Sequence, residues 1–196
     1  MVRLLVAIVA VVAWVVCSAL SFAQNGAAAD RLFDESRKVA LKVSQDIRDQ
    51  LVREMQKSGP LRSLLVCKYA CPEILSGHSR KTGWKISAVS LRPRNPAHGT
   101  PDIWEQRVLF DFDRRVAKGE KAETLDYAEV VTEPQGRFYR YAVAIPVERP
   151  CLVCHGTADT LPDSVRAQLA IDYPFDKATG YKVGEVYGVV TIKRPF

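Results

Sequence analysis

The chain has 196 residues, of which 47% are hydrophobic and 26% are charged, a balance that is ordinary for a single globular domain. The formal net charge of +6 is spread along the chain and is not gathered into a block of Lys and Arg. We therefore expect no nucleic-acid partner.

The first 23 residues predict export from the cytoplasm. Arg3 precedes an unbroken apolar run over residues 4–16, and Ser21 and Ala23 are small residues at positions −3 and −1 of a cleavage site. We predict a signal peptide over residues 1–23 and one domain over residues 24–196, located in the periplasm or outside the cell. The alternative is an uncleaved membrane anchor, because the span over residues 4–23 is long enough to cross a bilayer.

Hydrophobic spacing predicts a helical N-terminal part followed by strands. Apolar residues recur every three or four positions over residues 30–57, which predicts a long helix that Gly59-Pro60 ends. The remaining predicted elements, in order, are a helix over 61–70, a strand over 84–91, a helix capped by Thr100, strands over 125–131 and 138–147, a helix over 164–170 and a strand over 184–193. Helices followed by an antiparallel sheet define an α+β fold.

Two cysteines lie on the apolar stripe of the predicted second helix. Cys67 and Cys71 are four residues apart, about one helical turn. A disulfide between them would be strained within a regular helix. Pro72 has no backbone N–H, so we expect the helix to kink or restart there.

The segment Cys151-Leu152-Val153-Cys154-His155 is the C-x-x-C-H attachment sequence of c-type haem. The two thiols form thioethers with the haem vinyl groups, and the adjacent imidazole binds the iron as the proximal ligand. We therefore predict one covalent haem c, bound through Cys151 and Cys154, with His155 on the iron. The alternative is a structural zinc site, because these two cysteines and the C-x3-C pair at Cys67 and Cys71 both have spacings that zinc accepts.

The second iron ligand is left open by the residues themselves. The candidates are Cys67, Cys71, Met55, His78 and His98.

Two arginines of a proline-rich loop, Arg92 and Arg94, are candidates to bind the haem propionates through charge-assisted hydrogen bonds.

Several stretches resemble a family of exported single-haem c-type domains with a PAS-like fold, which occur alone and as sensory parts of bacterial signalling proteins. The stretches are Val66-Cys67-Lys68, Pro72-Glu73-Ile74, Gly83-Trp84-Lys85-Ile86 and residues 90–96, 101–105, 151–156, 172–174, 179–181 and 184–188. The resemblance implies a five-stranded antiparallel sheet with flanking helices that holds the haem on one face. It also implies His/Cys axial ligation, in which Cys67 is the second ligand.

Three roles are open to a protein of this kind: electron carrier, sensor and haem enzyme. A peroxidase-like enzyme uses a distal His and Arg, and this chain has only three histidines, so we do not expect an enzyme. We predict a periplasmic monohaem protein that transfers electrons or senses redox state or a diatomic gas. Its partner would be a separate redox or signalling protein.

Overall fold

The computed structural model describes residues 2–196, and it describes their side chains from Ala28 onward. The predicted signal peptide and the alternative membrane anchor lie outside the residues whose side chains are described, so both stay predictions. From Ala28 on, no helix is long and apolar enough to cross a membrane. The chain divides into two units, Met1–Ser36 and Arg37–Phe196.

Helix α1, Val2–Leu65, begins in the first unit and contains one break in its second part. Gly59 has φ 75° and ψ −179°, a conformation that favours glycine, and Pro60 follows it. The predicted end of the long helix at Gly59-Pro60 is thus confirmed as a break. The chain becomes helical again at once and remains so to Leu65.

A π-helical turn, Val66–Ala70, separates α1 from α2, Cys71–Thr82. Since Pro72 has no N–H, the carbonyl of Lys68 loses its usual helical donor. The Cys71 N–H instead donates to the carbonyl of Val66, five residues earlier. Pro72 therefore restarts the helix, as one of the two expected outcomes, and the regular helix predicted over 61–70 is replaced by a wider turn in its second half.

The sheet has four antiparallel strands in the order β1-β4-β3-β2. They are β1 Lys85–Val89, β2 Asp126–Glu133, β3 Gly136–Pro146 and β4 Val186–Pro195. All four were predicted from alternating or β-branched segments. The five strands implied by the resemblance are not confirmed, since the described residues form four.

Short helices and one long helix connect the strands. They are α3 Pro96–Gly99, α4 Ile103–Ala117, α5 Leu152–His155 and α6 Asp163–Asp172. Helix α4 packs Trp104, Val108 and Phe112 into a core shared with Val89 and Val189 of the sheet.

The prediction that Thr100 caps α4 is wrong. The Thr100 hydroxyl donates to the carbonyl of Pro96, which ends α3. Asp102 is the cap instead: its Oδ1 accepts from the Glu105 N–H at 2.9 Å, and the Glu105 carboxylate accepts from the Asp102 N–H at 2.8 Å. This reciprocal pair satisfies two donors that a helix start leaves free.

Candidate functional site

The C-x-x-C-H segment lies between β3 and β4 in the chain, in a tight helical turn. A 3-10 turn, Arg149–Cys151, leads into α5, which ends at Gly156. A Cβ at position 156 would lie 2.6 Å from both the Leu152 carbonyl oxygen and the Thr160 hydroxyl. Only glycine therefore fits immediately after His155 without moving backbone, and the turn is held closed.

His155 is fixed in one tautomer by a backbone acceptor. Its Nδ1 lies 2.7 Å from the carbonyl oxygen of Ala178, so Nδ1 carries the proton and donates. Two tyrosine rings stand edge-on to the imidazole, Tyr187 at 4.6 Å and Tyr181 at 6.2 Å between ring centroids. Burial, and then the positive charge of Arg94, lower the pKa of His155 to about 3, so the ring is neutral. The lone pair of Nε2 is therefore available to a metal.

Arg94 is a buried cation with an incomplete set of partners. Its Nε donates to Asp176 Oδ2 at 3.1 Å, and its Nη2 donates to the carbonyls of Cys154 at 2.5 Å and Ala178 at 3.3 Å. The Nη1 group is buried and has no hydrogen-bond partner. A buried unpaired donor on a charged group is costly, so the site fits an anionic group at this position.

Arg92 is placed differently from Arg94. Its guanidinium lies 3.5 Å from the centroid of the Tyr181 ring, donates to the Thr179 carbonyl at 3.3 Å and pairs with Glu185 at 3.7 Å. The side chain is 41% exposed. Arg92 therefore contacts the site indirectly, by packing on the Tyr181 ring that stands beside His155.

The π-helical turn is held near the C-x-x-C-H segment by two contacts with α6 and the cluster around it. Lys68 Nζ donates to Asp172 Oδ1 at the end of α6 at 2.6 Å. Leu64, one turn before Cys67, belongs to a buried cluster with residues of α6, and Cys154 packs on that cluster. The fold thus brings Cys67 and the attachment motif together, although they are more than 80 residues apart in the chain.

Cys67 lies in the π-helical turn and Cys71 opens α2, and each thiol changes the pKa of the other. The Cys71 thiol, with the charge of Arg94, lowers the pKa of Cys67 to about 7 against the opposing effect of burial. The Cys67 thiol and burial raise the pKa of Cys71. Burial raises the pKa of Cys154 to about 11 against the opposing effect of the Arg94 charge.

Two of the other candidate ligands, Met55 and His78, have partners outside the C-x-x-C-H segment, and a third, His98, is exposed. Met55 Sδ accepts from the Ser63 hydroxyl at 3.8 Å across the break in α1. His78 Nε2 lies 2.9 Å from Asp46 Oδ2 and joins α2 to α1. His98 is exposed on α3. These contacts do not involve the attachment motif.

The four cysteines downstream of the predicted signal peptide form no disulfide. From Ala28 on, no three His, Cys, Asp or Glu side chains are grouped so that they could hold one metal ion.

Three residues of the site were missed or misjudged from the sequence. The Ala178 carbonyl is a backbone group that every residue carries, so nothing in the sequence marks it. Asp176 becomes important only through a partner 82 positions away. Tyr187 is not marked by the motif, and only the fold places its ring against the imidazole of His155.

The fold and the site together define an α+β domain with a long N-terminal helix, a four-stranded antiparallel sheet and a C-x-x-C-H turn beside a second pair of cysteines. The solved structure of the cyanobacterial haem protein Tll0287 has a similar fold, with a TM-score of 0.60, 22% sequence identity, and coverage of 79% of this chain and 91% of that chain. A family model described as Tll0287-like matches residues 24–195, and the chain belongs to this family. No curated protein sequence matches the chain.

Proposed function

We propose that this chain is an exported protein that binds one covalent haem c and uses it for redox or small-ligand sensing, or for electron transfer. The observation that carries the proposal is the hydrogen bond from His155 Nδ1 to the Ala178 carbonyl. Histidines that bind metals characteristically donate their other ring N–H to such an acceptor. The haem content of the similar cyanobacterial protein supports the same assignment.

Each side chain of the site has a role in this proposal. Cys151 and Cys154 hold the porphyrin covalently, and His155 Nε2 provides the proximal ligand. Cys67 provides the second ligand as a thiolate, which its lowered pKa favours. The free Nη1 of Arg94 binds a propionate. When bound, the haem supplies an iron centre that exchanges one electron or takes up a diatomic gas.

The single antiparallel sheet with helices packed on it supports a PAS-like fold for the domain, and the family stretches that run from residue 66 to residue 188 support it as well. The apolar run over residues 4–16 supports a cleaved signal peptide and a periplasmic location. Sensory or electron-transfer output then requires a separate partner protein, which we propose to be a redox or signalling protein. Enzymatic turnover forms no part of the proposal.

Sensing is favoured over electron transfer by the position of Cys71 at the start of α2, directly after the turn that carries Cys67. Burial and the neighbouring Cys67 raise the pKa of Cys71, so this thiol would remain protonated and could supply a proton to a Cys67 thiolate that leaves the iron. A permanent electron carrier has no need of such a neighbour. A leaving ligand would open a coordination position for a diatomic gas.

The test is a set of optical spectra of protein matured with haem in a bacterial periplasm. We expect a Soret band in the oxidised and reduced protein, and a shift of the reduced spectrum when carbon monoxide or nitric oxide is added. A reduced spectrum that is indifferent to both gases would favour an electron carrier. A protein without a Soret band would contradict the proposal.

A further inference from the structure

The carbonyl oxygen of Ala178 accepts two hydrogen bonds at the site. One comes from His155 Nδ1 at 2.7 Å, and the other comes from Arg94 Nη2 at 3.3 Å. The orientation of the imidazole therefore depends on an oxygen whose position is set by a second residue.

Arg94 holds this oxygen through a closed set of contacts. Its Nε is bonded to Asp176 Oδ2 at 3.1 Å, and Asp176 Oδ1 accepts from the backbone N–H of Ala178 at 2.7 Å. Its Nη2 also reaches the carbonyl of Cys154, the residue before His155. One guanidinium thus ties together the attachment turn and the loop that orients its histidine.

We propose that Arg94 is the positioning residue for His155. Because its Nη2 donates to the carbonyls of both Ala178 and Cys154, it holds the Ala178 oxygen in place and so restricts the imidazole to one orientation. This rests on the proposed function, because the orientation matters only if His155 binds iron. The role is separate from propionate binding, which would use the free Nη1, whereas positioning uses Nε and Nη2.

The chemistry of the side chain explains why arginine stands here. A planar guanidinium sends N–H groups in several fixed directions at once and remains charged when buried. A lysine ammonium would keep the charge, but it is a point donor without the rigid fork. Arg94→Lys therefore separates positioning from simple electrostatics.

The edge-on contact of Tyr187 limits the ring from another side, at 4.6 Å between centroids. While Arg94 holds the Ala178 carbonyl in place, the imidazole of His155 is confined between the Tyr187 ring and the Ala178 oxygen. Without the hydrogen bond from Arg94, the Ala178 oxygen and the imidazole can move together, and more than one orientation of the imidazole becomes populated. In low-spin ferric haem, the direction of the imidazole plane contributes to the rhombic splitting of the electron paramagnetic resonance signal, so a second ring orientation gives a second signal.

The experiment compares wild type, Arg94→Lys and Arg140→Lys as holoproteins. Arg140 is the matched control, since it is a buried arginine, 3% exposed, that pairs with Asp102 and Glu105 away from the attachment motif. Two quantities are measured: the resonance signal of the ferric protein, and the solvent exchange rate of the His155 Nδ1–H by nitrogen-15 NMR of the ferrous protein.

We expect one rhombic low-spin species in wild type and in Arg140→Lys. In Arg94→Lys we expect at least a second species and an exchange rate of the Nδ1 proton at least about tenfold higher. A single unchanged species with an unchanged exchange rate in Arg94→Lys would overturn the inference while leaving the haem assignment intact. Absence of a low-spin haem signal in wild type would instead overturn the proposed function.

If Arg94→Lys does not fold, Asp176→Asn tests the same contact set from its other end. It keeps the arginine, removes the carboxylate charge that pairs with Nε, and leaves one side-chain oxygen to accept from the Ala178 N–H. We expect faster exchange of the His155 Nδ1 proton than in wild type, and an exchange rate equal to that of wild type would contradict the positioning role.

Discussion

Replacing Asp176 with Asn removes the carboxylate that pairs with the buried guanidinium of Arg94. The two side chains are 11% and 5% exposed, so the pair is buried on both sides. Breaking a buried ion pair by removing one partner costs about 3–5 kcal/mol, because the remaining charge is left uncompensated. The carbonyls of Cys154 and Ala178 still accept from Arg94, which places the expected loss near the lower end, about 3 kcal/mol.

The assay is urea and thermal unfolding of the holoprotein, followed by far-ultraviolet circular dichroism. A loss of about 3 kcal/mol in the free energy of unfolding lowers the thermal unfolding midpoint of a domain of this length by about 6–12 °C. The control is Asp163→Asn, which disrupts an ion pair with Arg166 whose side chains are 91% and 54% exposed and which contributes little to stability. If Asp176→Asn is no less stable than Asp163→Asn, the account of Arg94 as a cation that depends on buried partners is refuted.

Three further predictions concern the residues around the proposed haem. Cys67→Ser should shift the ferric spectrum and raise the reduction potential, whereas Cys71→Ser, which keeps a hydroxyl donor, should change both much less in a spectroelectrochemical titration; the opposite pattern would make Cys71 the ligand. The Lys68 ammonium lowers the pKa of Asp172 below its ordinary value of 3.8, so the contact stabilises the fold above that pH and loses its effect as the pH falls through the lowered pKa. Lys68→Met should therefore be less stable than wild type in urea at pH 7, and the difference should shrink as the pH is lowered through the pKa of Asp172; a difference that does not change with pH would show that the contact is not electrostatic. Gly156→Ala would place its Cβ 2.6 Å from a backbone carbonyl, so we expect a smaller fraction of covalently loaded protein by mass spectrometry, and full loading would contradict the tight turn.

The sequence predicted the positions of the helices and strands better than it predicted the turns and caps that join them. Alternation and helical spacing located the four strands and the break at Gly59-Pro60, because both depend on local patterns. The π-helical turn followed from Pro72 only in part, since the missing donor indicates a disturbance but not its geometry. The cap was placed at Thr100 because sequence alone does not reveal that the hydroxyl of this residue is already used to close α3.

In the site, too, the motif residues could be predicted from the sequence, whereas their hydrogen-bond partners could not. The C-x-x-C-H spacing identifies Cys151, Cys154 and His155 as candidate residues without any knowledge of the fold. The tautomer of His155 depends on a backbone carbonyl 23 residues later, which no sequence pattern marks. Arg92 and Arg94 look equivalent in the sequence, yet only Arg94 is buried with a free donor, because the difference arises from tertiary packing.

Covalent attachment of haem is the central claim, and intact-mass spectrometry of protein matured in the periplasm tests it most directly. The account predicts that the denatured protein carries the additional mass of one haem, and that this mass is lost when Cys151 and Cys154 are both replaced by Ala. A denatured protein with no added haem, in a host that attaches haem to a known c-type cytochrome, would contradict the account.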